Sequence, residues 1–161
     1  MRKLCVLLLL AFLALYGCKQ VDKTVEANKA LAQKFVADVW NIGDDDFIDQ
    51  TVGPNYVRHN PASWDPAEII SPDGLRSYVN GLRDLYPDFK VEVHDVVASG
   101  DMTASTWTVS GTNQESGKQF SVFGMSMTRY SDGKMMEEWV SFDTQGLMQQ
   151  LQGDSEVSMK Q

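Results

Sequence analysis

The sequence predicts an α+β fold, with helices gathered in the first half and an antiparallel meander in the second. Three observations carry this. Apolar residues recur at helical spacing through Leu31, Phe35 and Val39, and again through Leu75, Val79 and Leu82. From Phe89 the period changes to two, with Phe89, Val91 and Val93 alternating with Lys90, Glu92 and His94. Ser131-Asp132-Gly133-Lys134 then carries the Asp-Gly signature of a hairpin turn. Segregated helices and strands, rather than alternating ones, define the α+β class. A chain of 161 residues suits one domain. A formal net charge of −8 excludes a nucleic-acid-binding face, which needs clustered Lys and Arg, and disfavours an anionic membrane surface on the same ground.

The first helix ends at Asn41-Ile42-Gly43. Asp44, Asp45 and Asp46 open a second, where negative charge suits the positive end of the helix dipole; a calcium loop would need spaced carboxylates and a distant Glu instead. Val52 to Asp73 reads as a long Pro-containing loop. Its Tyr56, Arg58, His59, Asn60, Trp64 and Asp65 are what a binding rim would supply. Ser71-Pro72-Asp73 starts a third helix, with Ser71 as cap and Pro72 in the first turn, and Pro87 stops it. Four strands follow: from Phe89, over Thr103 to Ser110 with Trp107 as a core residue, over Gln119 to Tyr130, and over Met135 to Asp143. Thr144 caps a terminal helix holding Leu147, Met148 and Leu151, with Asp143 contributing through the same turn. The result is a curved four-stranded sheet, with a short edge strand, wrapped by N-terminal helices.

Both faces of this sheet are apolar. Phe120 and Val122 oppose Phe123, Met125 and Met127; Val140 and Phe142 oppose Met135 and Trp139. The helices suffice for one face, so the other is expected to meet a second copy of the chain, giving a homodimer through the sheet. His94 is expected to face solvent.

Ahead of the domain, Arg2 and Lys3 precede an apolar run from Leu4 to Leu15. The run falls short of the roughly 20 residues a spanning helix needs and has the size of a signal-peptide core. Leu15-Tyr16-Gly17-Cys18 resembles a bacterial lipobox. Residues 1–17 therefore read as a lipoprotein signal, Cys18 as the lipidated mature N-terminus, 18–24 as a tether, 25–152 as the folded domain and 153–161 as a flexible tail. Plain secretion with cleavage nearby is the alternative. The expected location is the bacterial cell envelope, lipid-anchored at the periplasmic or outer surface. Cys5 would leave with the signal, so no intramolecular disulfide and no Cys-based zinc site is expected.

Several runs together resemble the SnoaL-like proteins, also called ester cyclases, of the nuclear transport factor 2-like superfamily. They are Lys34 through Asp44, Tyr56-Val57-Arg58-His59-Asn60-Pro61, Pro72-Asp73-Gly74 leading to Tyr86-Pro87-Asp88, and Asp132 through Trp139 continuing to Gly146-Leu147. The resemblance implies a sheet curled into a cone, a pocket at its mouth, and dimerisation through the sheet. Its cyclase members close rings by an intramolecular aldol step. By that resemblance the cyclases' acid/base position is Val140 here, and the accompanying histidine position is Ser126. A valine neither accepts nor donates a proton, so the implied fold carries over while the implied mechanism does not.

Strand alternation would put Glu138 and Phe142 on the same side as Val140. Glu138 would then be a carboxylate inside an apolar cone, a setting suited to general acid/base chemistry. The enzymatic expectation pairs Glu138 with His59, with Trp40, Tyr56, Trp64, Ser126, Val140 and Phe142 shaping the ligand pocket. The plainer alternative pairs Glu138 with Arg58 or Arg129 and leaves His59 to tie the loop down. The two histidines lie too far apart in pattern to suggest a metal site, and no cofactor motif is present. Three functions are consistent with the sequence: an envelope-anchored pocket for a small, mostly apolar molecule, an enzyme using Glu138 and His59 for isomerisation, cyclisation or hydrolysis, and a protein-interaction module.

Overall fold

A helix over residues 23–40 (α1) is followed by α2, Asp45–Thr51, with Asn41-Ile42-Gly43 turning the chain between them. The computed structural model of the protein describes residues 23–152. The expected signal, Cys18 and the tail 153–161 lie outside the described residues, and the helix is already under way at residue 23, inside the stretch read as tether. Asp44 caps α2 as its position suggests, its Oδ1 accepting from the Phe47 amide at 3.0 Å. The last turn of α1, Val36–Trp40, widens into a π-helix, so that Val39 and Trp40 are both buried. Asn41 then fastens this end of α1 to the sheet, exchanging side-chain hydrogen bonds with the Val91 backbone at 2.7 and 3.0 Å.

Beyond α2 come β1 (Val52–His59), β2 (Glu68–Ile70), α3 (Ser71–Leu85), β3 (Lys90–Ser99), β4 (Met102–Thr112), β5 (Gln119–Ser131), β6 (Lys134–Phe142) and α4 (Thr144–Gln152). The strands form one six-stranded sheet in the order β2-β1-β6-β5-β4-β3. All pairings are antiparallel except β1 with β6, which run parallel.

The expected meander is present as β3 to β6, and the Asp132-Gly133 turn has the two positive φ angles, 51° and 74°, of a type I′ hairpin. The loop read over Val52 to Asp73 is corrected in part: Val52–His59 is an interior strand and Glu68–Ile70 an edge strand, and the loop is confined to residues 60–67. The inward residues of β1 are Tyr56 and Arg58, with Asn60 buried just beyond; these polar side chains conceal the alternation that apolar ones would have advertised. Met135 is also corrected. A register shift between Arg129 and Tyr130 on β5, opposite Met136, turns Met135 into the core instead of leaving it beside Trp139. At α4 the capping acceptor is Asp143, whose Oδ1 takes the Gly146 amide at 2.8 Å, while the Thr144 hydroxyl pairs with Ser63.

The core lies between the helices and the inner face of the sheet. Phe35, Val39, Ile48, Val52, Leu75 and Val79 are almost wholly buried there. Full burial of each such side chain contributes about 1.5–3 kcal/mol. The outer face has no helix over it among the described residues, and Phe123, Met125, Met127 and Val97 are exposed on it. His94 is exposed on the same side, stacked on Phe123 and bonded to Thr108.

Candidate functional site

The inner face lines a cavity of about 90 Å³. Four structural facts shape it. The π-turn of α1 presents Trp40. The β1–β2 loop brings Trp64 over the sheet, edge-on to Phe142 with ring centroids 5.2 Å apart. From α3 comes Tyr78, whose hydroxyl accepts from Trp64 Nε1 at 3.0 Å. On β4, Trp107 lies over Gly124 of β5, where a β-carbon would sit 2.2 Å from the indole. Glycine is required there because the ring occupies the space. Tyr86, Phe89 and Phe120 complete a largely aromatic lining.

Two charged side chains reach this cavity, Arg58 and Glu138, which sit side by side in the parallel β1–β6 register. Arg58 Nη1 donates to Glu138 Oε2 at 2.5 Å, and the Tyr56 hydroxyl donates to the same oxygen at 2.7 Å. Arg58 is held further by Nε donating to Asn60 Oδ1 at 3.1 Å, and its guanidinium lies 4.7 Å over the Trp40 ring. Burial opposes the charge on Arg58 most strongly, but the Glu138 carboxylate together with Tyr56 and Tyr78 outweighs it and leaves the guanidinium a tighter proton holder than usual. Burial, and then the neighbouring Glu138 carboxylate, push the Tyr56 phenol well above its ordinary range. Burial likewise raises Tyr78.

Trp40, Trp64, Ser126, Phe142 and Glu138 line the cavity as the sequence suggests. Tyr56 does not: it is completely buried and supports Glu138. Val140 is buried too, paired in register with Ser126, and borders a hollow that opens on the outer face. Ser126 Oγ is bonded to Ser105 Oγ at 2.9 Å.

His59 and Glu138 are not brought together. Successive strand residues point to opposite faces, so Arg58 pointing inward sends His59 outward. There His59 stacks on Trp139, with Nδ1 3.2 Å from Glu68 Oε1 and Nε2 3.1 Å from Glu137 Oε1. The plainer alternative is the one observed: Glu138 pairs with Arg58, and His59 straps β2 to β6. Sequence reasoning missed Tyr78 as a wall residue, because a tyrosine in an amphipathic helix reads as core.

Comparison with known proteins agrees with this architecture. No curated protein sequence matches the chain. TsrD from Streptomyces laurentii is similar in structure, with a TM-score of 0.67 and 26% identity over 78% of this chain and 95% of that one. A candidate polyketide cyclase from Bacillus cereus ATCC 10987 is 29% identical with a TM-score of 0.65, over 76% of this chain and 78% of that one. A candidate SnoaL-like polyketide cyclase from Jannaschia sp. CCS1, at 16% identity, TM-score 0.70 and coverage of 78% and 91%, shares the fold. The family model of the SnoaL-like polyketide cyclases matches residues 30–151, from α1 through α4. With the curled sheet, the inner cavity and that match in agreement, the chain belongs to the SnoaL-like polyketide cyclase family.

Proposed function

We propose that the protein binds a small, mostly apolar molecule in the inner cavity, with the Arg58–Glu138 pair as its polar end. The observation that carries this reading is an aromatic-walled void with one buried ion pair opening into it. A purely structural ion pair would be packed around on all sides. The test is intrinsic tryptophan fluorescence of the chain titrated with small aromatic molecules, since Trp40, Trp64 and Trp107 all line the cavity. Saturable quenching is expected, and Val109→Trp, which fills the cavity, should abolish it with the fold retained. Unsaturable quenching, or quenching indifferent to Val109→Trp, would reject the reading.

A second reading, proton-transfer chemistry of the ester cyclase type, is supported by Glu138 being the one carboxylate among the described residues that lines the cavity. It differs from the cyclase arrangement, whose acid/base position is Val140, and it does not involve His59. Turnover lost in Glu138→Gln but kept in His59→Ala would support it.

The exposed apolar strip on the outer face supports pairing with a second copy. The same strip serves the interaction-module reading if the partner is a different protein. The apolar run before Cys18 supports anchoring in a bacterial envelope; palmitate labelling lost in Cys18→Ser tests it.

A further inference from the structure

We propose that the cavity selects a neutral, single-ring aromatic molecule carrying one hydrogen-bond donor, a phenol or aryl alcohol, whose hydroxyl donates to Glu138 Oε1. This rests on the ligand-binding reading above and assigns its chemical class.

The unequal use of the two carboxylate oxygens comes first. Tyr56 and Arg58 both donate to Oε2. Oε1 receives no hydrogen bond from the described residues. Among them the one sealed-off side-chain polar atom without a partner is Asp45 Oδ1, so Glu138 Oε1 is open to a small molecule rather than sealed in. Glu138 is buried and lines the cavity, which is the open space we assign to Oε1. An ionised carboxylate oxygen there accepts and never donates, so its complement is a donor.

The charge of the ligand follows from the pair. The guanidinium and the carboxylate neutralise each other at hydrogen-bonding distance. A cationic ligand would add a second positive charge beside Arg58, and an anionic one would face Oε1 directly. Each is disfavoured in surroundings of low dielectric. Of the other polar wall groups, Trp64 Nε1 is committed to Tyr78 and Ser126 Oγ to Ser105, while Arg58 makes its hydrogen bonds through Nε and Nη1 and leaves Nη2 to donate to the oxygen of the same ligand hydroxyl. What is left is aromatic surface, which favours a flat ring in offset or edge contact. A void of about 90 Å³ suits a single ring.

The test is calorimetric titration of the whole chain with p-cresol, toluene, benzoate and benzylamine. The expected order is p-cresol tightest, toluene about ten-fold or more weaker, and both charged ligands weaker than p-cresol by at least as much. Arg58→Met with Glu138→Leu, which keeps the site apolar and avoids an orphaned charge, should bind p-cresol and toluene alike. Toluene equal to p-cresol in the unmodified chain, or a charged ligand binding best, overturns the donor assignment while leaving the pocket intact. If none of the four binds, both this inference and the ligand-binding reading fall.

Discussion

Arg58 and Glu138 meet across the parallel β1–β6 contact at 2.5 Å, with side chains only 9% and 8% exposed. Two distant stretches of sequence thus deliver opposite charges to one point inside an apolar cone. The arrangement constrains both stability and binding.

Removing one partner leaves the other charged and buried. Glu138→Leu should lower stability by about 3–5 kcal/mol, measured by urea unfolding. Arg58→Met together with Glu138→Leu should restore most of the loss, because hydrophobic side chains of similar size satisfy the same space. A single Glu138→Leu variant as stable as the parent would mean the pair is not sealed as described.

The buried phenols set the alkaline limit. Burial and Glu138 hold Tyr56 well above its ordinary range, burial raises Tyr78, and burial pushes Tyr130 up to about 12. In the unfolded chain phenols ionise near about 10, so the folded state binds these protons more tightly. Their contribution is complete below that pH and is lost as pH rises through the folded values. Absorbance near 295 nm should therefore show un-ionised tyrosines at about pH 11 that ionise on adding guanidinium. The urea midpoint should fall steeply over the same range. Complete ionisation near pH 10 with the fold intact would contradict the burial.

How much of this was legible in the sequence depended on what each strand buries. In β4 and β5, alternation of Trp107 and Val109, or Phe120 and Val122, with outward residues gives a clear period of two. In β1 only Val52 among the buried side chains is aliphatic, the others being Tyr56 and Arg58, so hydropathy carries no period, and Pro54 adds a loop signal. The facing of His59 was hidden for a related reason. It is fixed by the register Arg58↔Glu138 and His59↔Trp139, a pairing between distant segments that local pattern does not encode. The aromatic pocket residues Trp40, Trp64 and Phe142 were legible because large rings cluster where a cone must be lined.

Because His59 lies outside the cavity, its replacement should separate stability from binding. Its ring is about a third exposed, as is Glu137, so His59→Ala should cost no more than about 1 kcal/mol. Amide exchange in β2 should quicken, because His59 joins that strand's Glu68 to Glu137 of β6. Ligand affinity in the cavity should be unchanged. A large loss of affinity would show that His59 acts on the inner site.

The outer face makes a separate prediction. Phe123, Met125 and Met127 are each about half exposed along β5, beside a hollow of about 420 Å³ bordered by Val97 and Trp139. Met125→Glu with Met127→Glu places two charges in that strip. Sedimentation is expected to report a dimer for the parent and a monomer for the double variant, with circular dichroism unchanged. A monomeric parent would remove the second copy from the account.

Gly124 links the sheet to the cavity most directly. A β-carbon at this position would come within 2.2, 2.5 and 2.7 Å of three carbons of the Trp107 ring, closer than any relaxed contact. The ring has Phe142 on one side, with centroids 6.4 Å apart, and its Nε1 donates to Ser126 Oγ at 3.4 Å. Gly124→Ala must therefore move the indole away from the sheet, and the space available is the cavity. Overpacking of this kind costs about 1–3 kcal/mol, and here it should also weaken binding of any cavity ligand. Adding Trp107→Leu removes the clash, so the double variant should recover stability relative to Gly124→Ala alone. It should also bind a two-ring ligand more tightly than the parent does. Thermal unfolding and calorimetry of the two variants read both effects, and a Gly124→Ala protein with parental stability and affinity would mean that Trp107 does not rest on that glycine in solution.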